Sequence, residues 1–356
     1  MGIFDNLILG FGVALTFKNL IFCFLGVLIG TLIGVLPGIG PVATISLLLP
    51  VTFGMDPITS IIMLAGVYYG AQYGGSTTSI LVNIPGEASS IITCLDGYQM
   101  ARQGRAGPAL GISAFGSFIG GTASIIGLML LAPMLAKAAL RFGPPEYFCL
   151  MFFGLTMVTY LCIGSIAKGL IMAVAGLAFS AIGQDPVSGI TRFTFGSITL
   201  MDGVGIVPVA MGMFGIGEVL TNIEQSIKQE VLSTKVRGLF PTLKDWAACK
   251  WPIMRGAVVG FFMGILPGAG VVIPTFMSYT LEKRLSRHPE KFGTGMIEGV
   301  AGPETANNAA AGGAFVPLLT LGIPPNVVMA LLLGALMIHG ITPGPMFIAK
   351  HPDIFW

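Results

Sequence analysis

A Pro-Gly element interrupts an apolar run at Leu36-Pro37-Gly38-Ile39-Gly40 and returns in the last third of the chain as Leu266-Pro267-Gly268-Ala269-Gly270. Each copy has a glycine two residues ahead of it, Gly34 in one and Gly264 in the other. Proline cannot donate the helix hydrogen bond and its ring clashes with the preceding turn, so a helix that meets this element stops or kinks. Further along, Gly74-Gly75 returns as Gly312-Gly313, and Asn83-Ile84-Pro85-Gly86 is echoed by Gly322-Ile323-Pro324-Pro325. Three landmarks in one order, at nearly constant spacing, indicate a duplicated unit, and a repeat has to be recognised before a fold class is chosen.

The solvent these breaks meet follows from composition. With 54% hydrophobic residues, 10% charged residues and a mean hydropathy of +0.87, the chain cannot wrap a charged surface around one core. The expected class is an all-α polytopic membrane protein built from two repeats with broken or re-entrant helices. An inverted relation between the repeats is preferred by analogy with transporters of similar design. The 51 glycines and 23 prolines fall inside the apolar runs as well as between them, which suits close helix contacts. The net charge of +2 sits in short loops, so it reads as topogenic charge in a lipid bilayer and argues for no nucleic-acid partner. Cys23, Cys94, Cys149, Cys162 and Cys249 are scattered, as are His288, His339 and His351, so neither a disulfide framework nor a metal site is expected.

In chain order, residues 1–19 read as an interfacial segment and residues 20–136 as the first repeat. Residues 137–251 are expected to supply connecting spans and a loop, and residues 252–356 a second repeat, expected to be incomplete on its C-terminal side. The first repeat should hold a short helix from Pro57 to Gln72, then an irregular polar stretch, then an amphipathic interfacial loop over 88–106 with Asp96, Arg102 and Arg105. Six of the eighteen Lys and Arg residues lie between Glu224 and Arg255, which makes this loop cytoplasmic, with Trp246 and Trp251 at the headgroup level.

Two polar stretches stand out at membrane depth. One is Gly74-Gly75-Ser76-Thr77-Thr78-Ser79 with Asn83; the other runs from Gly302 through Asn307 and Asn308 to Gly312 and Gly313. Lipid cannot satisfy freed backbone groups, so such stretches either line a wet cavity inside protein or lie as polar loops just outside the bilayer. Interrupted segments at corresponding places in two halves of a transporter point to its site. The candidate substrate residues are therefore Gly74, Gly75, Ser76, Thr77, Thr78, Ser79, Asn83, Asn307, Asn308, Gly312 and Gly313. The helix breaks are assigned to Pro37, Gly38, Gly40, Pro85, Gly86, Pro267, Gly268, Gly270, Pro324 and Pro325. Glu87 and Glu304 flank the polar stretches, where an intramembrane acid either binds Na⁺ or a proton or caps a helix N-terminus.

These residues carry a resemblance. The Leu-Pro-Gly-Ile-Gly-Pro break, the run from Tyr68 to Leu81 with its Asn-Ile-Pro-Gly-Glu continuation, and Pro303-Glu304-Thr305-Ala306-Asn307-Asn308-Ala309 are similar to the large membrane subunit of the tripartite tricarboxylate transporters. The resemblance implies a secondary active importer in the bacterial inner membrane, driven by Na⁺ or H⁺, with no other cofactor. It also implies a small four-span membrane subunit and a periplasmic solute-binding protein that delivers a carboxylate such as citrate. The other class to weigh is an ion or solute channel, which would more often show a ring-forming filter motif on a short chain. An enzyme is not expected, since no His accompanies the Ser/Thr cluster and no paired acids occupy matched positions.

Overall fold

A computed structural model describes residues 3–36, 39–161, 165–185, 190–205, 208–209, 211–217, 220 and 238–356. These are almost entirely helical; the exception to helix and loop is a hairpin of two-residue strands, β1 (Gly183–Gln184) and β2 (Thr191–Arg192). The first eight helices are α1 (Ile3–Ala14), α2 (Phe17–Gly34), α3 (Pro41–Leu48), α4 (Pro57–Val82), α5 (Ile91–Arg102), α6 (Ala106–Ala139), α7 (Pro144–Leu161) and α8 (Ile166–Ser180). After a π-helical turn at Met211–Ile216 come α9 (Leu243–Ile265), α10 (Val272–Leu285), α11 (Glu298–Gly313), α12 (Phe315–Leu321) and α13 (Val327–Ile338). Two single turns, α14 (Phe347–Lys350) and α15 (Pro352–Phe355), follow. Among the described residues, α2 and α6 are long and apolar enough to cross a membrane, and both leave most of their apolar side chains uncovered.

Two helix pairs are built alike. In α2, a Cβ added at Gly26, Gly30 or Gly34 would overlap the carbonyl oxygens of Met63, Val67 and Ala71 on α4. In α9, a Cβ at Gly256, Gly260 or Gly264 would overlap the carbonyl oxygens of Gly302, Ala306 and Ala310 on α11. The glycines of the second pair follow those of the first at the same offset as the two Pro-Gly breaks, and the three carbonyls share a second, slightly longer offset. Residues four apart share one helix face, so each ladder brings backbone directly onto backbone. Between the pairs lies an apolar core that mixes both ends of the chain. Ile45, Leu64 and Val67 from α3 and α4 meet Leu318, Met329 and Leu332 from α12 and α13.

Several expectations are corrected. The hydroxyl-rich stretch does not unwind, because α4 is one helix of 26 residues that swallows Gly74 to Ser79. Its hydroxyls fold back on their own backbone: Ser76, Thr77, Thr78 and Ser79 donate to the carbonyls of Gln72, Tyr73, Gly74 and Gly75, at 3.0 to 3.3 Å. A side chain used in this way satisfies the helix from within and leaves no reason to break it. The run from Gly302 to Gly313 is likewise helical, with Thr305 donating to Ala301 O at 2.7 Å and Asn308 to Glu304 O at 3.4 Å. Residues 91–102 form α5, and Asp96, expected in an interfacial loop, is fully buried.

The expected loop before the second Pro-Gly break also shortens. Residues 221–237 lie outside the described residues, and α9 begins at Leu243, ahead of both tryptophans. The helix starts early because Thr242 and Asp245 form a reciprocal capping box there. Trp246 packs on Phe115 of α6, with ring centroids 5.3 Å apart. The segment limits at 19/20, 136/137 and 251/252 run through α2, α6 and α9, so helix ends do not mark them. Cys23, Cys94, Cys149 and Cys249 are free thiols, and Cys162 lies outside the described residues.

The ladders generate a stability prediction. Gly30→Val and Gly260→Val should each destabilise the protein by about 1–3 kcal/mol, because backbone cannot move aside as a side chain can. Gly12 has nothing within 4 Å of an added Cβ, so Gly12→Ala should leave the unfolding temperature unchanged or raise it. Thermal unfolding in detergent, with the three variants side by side, checks this.

Candidate functional site

The breaks gather at one place. A cavity of about 480 Å³ is lined by residues 40–42, 85–89, 270–272 and 326–328, and by Tyr68. Each segment is the start of a helix or helical turn. Gly40 precedes α3, Glu87 caps the 3₁₀ turn Ala88–Ser90 that runs into α5, Val271 precedes α10, and Asn326 caps α13. The lining is also paired: 270–272 answer 40–42 at the offset of the glycine ladders, and 326–328 answer 87–89 at the offset of the carbonyl ladders. The unsatisfied N–H groups and positive dipole end of a helix N-terminus favour an anion, and here four such ends open onto one volume. Among the described residues no Lys, Arg or His lines it, and Glu87 is its one charged side chain.

Local sequence explains why the chain turns there. Asn83 ends α4 in the left-handed conformation at φ 60°, and Gly322 ends α12 in the same way at φ 71°. The Ile-Pro dipeptide that follows each of them cannot resume a helix. Gly268 N donates to Pro325 O at 2.9 Å, so the second Pro-Gly break and the Ile-Pro-Pro turn hold each other. Pro37 and Gly38, the first two residues of the earlier break, lie outside the described residues.

Of the sequence candidates, Pro85, Gly86, Glu87 and Gly270 line the cavity, together with Gly40. Pro267, Gly268, Pro324 and Pro325 form the turns behind it. Gly74 lies against the backbone of Thr31 and Gly34, Gly75 against Glu87 and Gly86, Gly312 against Ser124, and Gly313 against Phe261. These four glycines therefore serve helix packing in this arrangement. Thr77, Thr78 and Ser79 are spent on backbone carbonyls, Thr78 also capping the end of α2 through Val35 O at 2.9 Å. Asn308 borders a different, apolar groove with Tyr69, Tyr73 and Phe118.

Beneath the cavity lies a polar cluster that joins both halves. Glu304, on α11, is buried and accepts from Ser76 Oγ of α4 at 2.7 Å, from Ser113 Oγ of α6 at 2.9 Å and from the Thr93 hydroxyl of α5. Four helices are thus tied to one carboxyl group, which has no ion-pair partner among the described residues. Asn307, the neighbour of Glu304 in sequence, donates from Nδ2 to Glu87 Oε1 at 3.4 Å, linking this cluster to the cavity wall. Asp96 is a further buried carboxyl group. It accepts from the backbone N–H groups of Gly293, Gly295 and Met296 at 2.8 to 3.0 Å and from Tyr279 Oη at 2.9 Å, so it clamps the α10–α11 connection onto α5. Among the described residues no three His, Cys, Asp or Glu side chains gather in a metal-binding group.

Thr93, Ser113, Tyr68, Ser89 and Asn326 were missed from sequence. Asn326 alone carried a signal, as the residue that ends the Gly-Ile-Pro-Pro-Asn echo. Thr93 and Ser113 meet Glu304 only through helix packing across distant parts of the chain, whereas Ser89 donates to Glu87 just two residues before it.

The cluster predicts unequal losses at one position. Glu304→Leu removes the acceptor of three buried hydroxyls; Ser76 can turn back to Gln72 O, and Thr93 and Ser113 are left unpaired at about 1–3 kcal/mol each. Glu304→Gln keeps one acceptor oxygen and should unfold between the Leu variant and wild type. A Leu variant that melts with wild type would show that the carboxyl does not hold the four helices.

The sequence was then compared with known proteins. Residues 20–356 match the profile described as "Tripartite tricarboxylate transporter TctA family". An uncharacterized 52.8 kDa protein in the TAR-I ttuC' 3' region of Agrobacterium vitis is 53% identical over all 356 residues of this chain, which cover 71% of that relative. An uncharacterized protein in the TAR-II ttuC' 3' region of the same organism is 59% identical over 97 residues, 27% of this chain and 40% of the relative. No solved structure matches.

Proposed function

Since the chain belongs to the tripartite tricarboxylate transporter TctA family, we propose that it acts as the large, multi-pass subunit of a secondary importer in the bacterial inner membrane. In this reading the substrate is a di- or tricarboxylate of the citrate type. A periplasmic solute-binding protein delivers it, a small membrane subunit completes the assembly, and a Na⁺ or H⁺ gradient drives uptake. The observation that carries the proposal is the cavity walled by four helix N-termini and, among the described residues, by no basic side chain.

An anion crossing a bilayer must exchange water for donors that hold it without trapping it. Backbone N–H groups at helix ends do this through partial charges, whereas a buried Lys or Arg would bind a carboxylate and release it slowly. Glu87 in the wall repels an anion by itself, so a cation must enter with the substrate or before it. That requirement is what couples uptake to a gradient. The paired lining supports two repeats, within 20–136 and 252–356, that share the cavity between them, and the inverted arrangement follows by analogy with transporters built on broken helices. Movement of one helix pair against the other would open the cavity to each side in turn.

The test is uptake of labelled citrate and a panel of dicarboxylates by cells that carry the full-length subunit with both companions. Asn326→Asp keeps the α13 cap, since Asp caps as well as Asn, but adds a negative charge to the cavity rim. The half-saturating carboxylate concentration should rise about tenfold or more at equal membrane abundance. An unchanged value would remove the carboxylate from this cavity. Flux that neither saturates nor follows an ion gradient would favour a channel.

A further inference from the structure

Glu87 Oε1 accepts from the Ser89 hydroxyl and, at the long end of hydrogen bonding, from Asn307 Nδ2 at 3.4 Å. No basic side chain faces it from the other described segments that line the cavity, and Glu304 is the nearest acid across the Asn307 link. Among the described residues, the other end of the same Asn307 amide, Oδ1, has no hydrogen-bond partner although Asn307 is only 1% exposed. The Gln72 amide, fully buried, has none at bonding distance and angle on either end, although the Tyr68 phenol lies one turn away. Tyr68, Gln72 and Ser76 follow one face of α4 at four-residue spacing, from the cavity wall to the Glu304 cluster. An orphaned amide oxygen beside a carboxylate that no basic side chain faces is unfavourable, and one cation would satisfy both.

We propose that Glu87, Asn307 Oδ1 and the Ser89 hydroxyl form a sodium site at the wall of the cavity. The donor set is all oxygen and carries a single formal charge, which suits a monovalent hard cation and lets it leave again. Glu304 is not the ion's ligand: Ser76 and Ser113 occupy Oε2 and Thr93 occupies Oε1, so its oxygens are already committed to holding α4, α5 and α6. The bound ion neutralises Glu87 and so admits a carboxylate to the helix N-termini opposite. Sodium therefore binds before the substrate. This last step rests on the transporter reading, while the site itself rests on the geometry alone.

The experiment uses purified full-length subunit in lipid nanodiscs, with no carboxylate present. Thermal unfolding is followed as NaCl replaces choline chloride at constant ionic strength. Wild type should show a saturating rise in unfolding temperature with Na⁺, as expected for a ligand that binds the folded state. Glu87→Gln should raise the half-saturating Na⁺ concentration about tenfold or more, and Asn307→Ala and Ser89→Ala should each raise it as well. Glu304→Gln should keep the Na⁺-dependent rise from its own lower baseline. Identical curves in NaCl and choline chloride overturn the site, as does loss of the rise in Glu304→Gln with retention in Glu87→Gln. A rise produced by acidification instead of Na⁺ would assign the position to a proton and overturn it too. If Glu87→Gln does not fold, the two alanine variants decide: an unchanged Na⁺ response in both overturns the site. Retention of the Na⁺ response by a protein that supports no carboxylate uptake would sink the transporter reading and leave the site standing.

Discussion

Everything in this protein rests on backbone meeting backbone along two ladders of small residues. Lipid tails are as apolar as leucine, so burying a leucine between two helices gains little in a membrane. What holds helices together there is close packing and the weak polar contacts that only close approach allows. Gly26, Gly30 and Gly34 let α2 lie against the carbonyls of α4, and Gly256, Gly260 and Gly264 let α9 lie against those of α11. The last rung of each ladder, Gly34 or Gly264, comes two residues before the Pro-Gly break. Each helix is therefore clamped tightly just where it has to end.

That clamp gives the cavity its shape. Gly34 O presses on Gly86, which itself lies against Gly75, so the turn after α4 is pinned to the end of α2. In the second pair, Gly268 N bonds Pro325 O and pins the turn after α12 to the end of α9. Each pair thereby presents two helix starts side by side, and the apolar core between α3, α4, α12 and α13 brings the two presentations together. Loops alone could hardly fix four N-termini around a volume of about 480 Å³, because loop backbone is the most mobile part of a fold. Here the N-termini inherit their positions from helices packed at backbone contact.

How much of this can be read without coordinates depends on the range of the interaction. The Pro-Gly and Ile-Pro turns are local chemistry, and the chain does leave the helix at residues 83–87, 266–271 and 322–326. The long helix α6 is equally legible, since its apolar length alone decides it. The hydroxyl-rich run misleads because Ser and Thr are ambiguous in apolar surroundings: they can line water or return their hydrogen to the turn behind them. Ser76 sits within reach of both Gln72 O and Glu304 Oε2, and its one hydrogen serves one of them at a time. Nothing near Thr93 or Ser113 in the sequence announces a partner as remote along the chain as Glu304. The cavity lining could have been anticipated from the recurring motifs, by asking which positions return at the same offset immediately after each break.

Asp96, Glu304 and Glu87 show what separates a strut from a working group. Asp96 is held by backbone N–H groups that cannot leave without unfolding a turn, so its carboxylate is committed to the α10–α11 connection. Glu304 is held by three hydroxyls on three helices, a shell that can rotate but is complete. Glu87 has one hydroxyl, one long amide contact and an open face toward the cavity. Coordination thins out in that order, to Glu87 at the cavity wall, and with it falls the cost of exchanging a partner. A transport site needs its exchangeable group at the wall and its fixed ones behind it. The glycine ladders supply that order, because they set which carboxyl group the helices enclose and which they leave at the mouth of the turn.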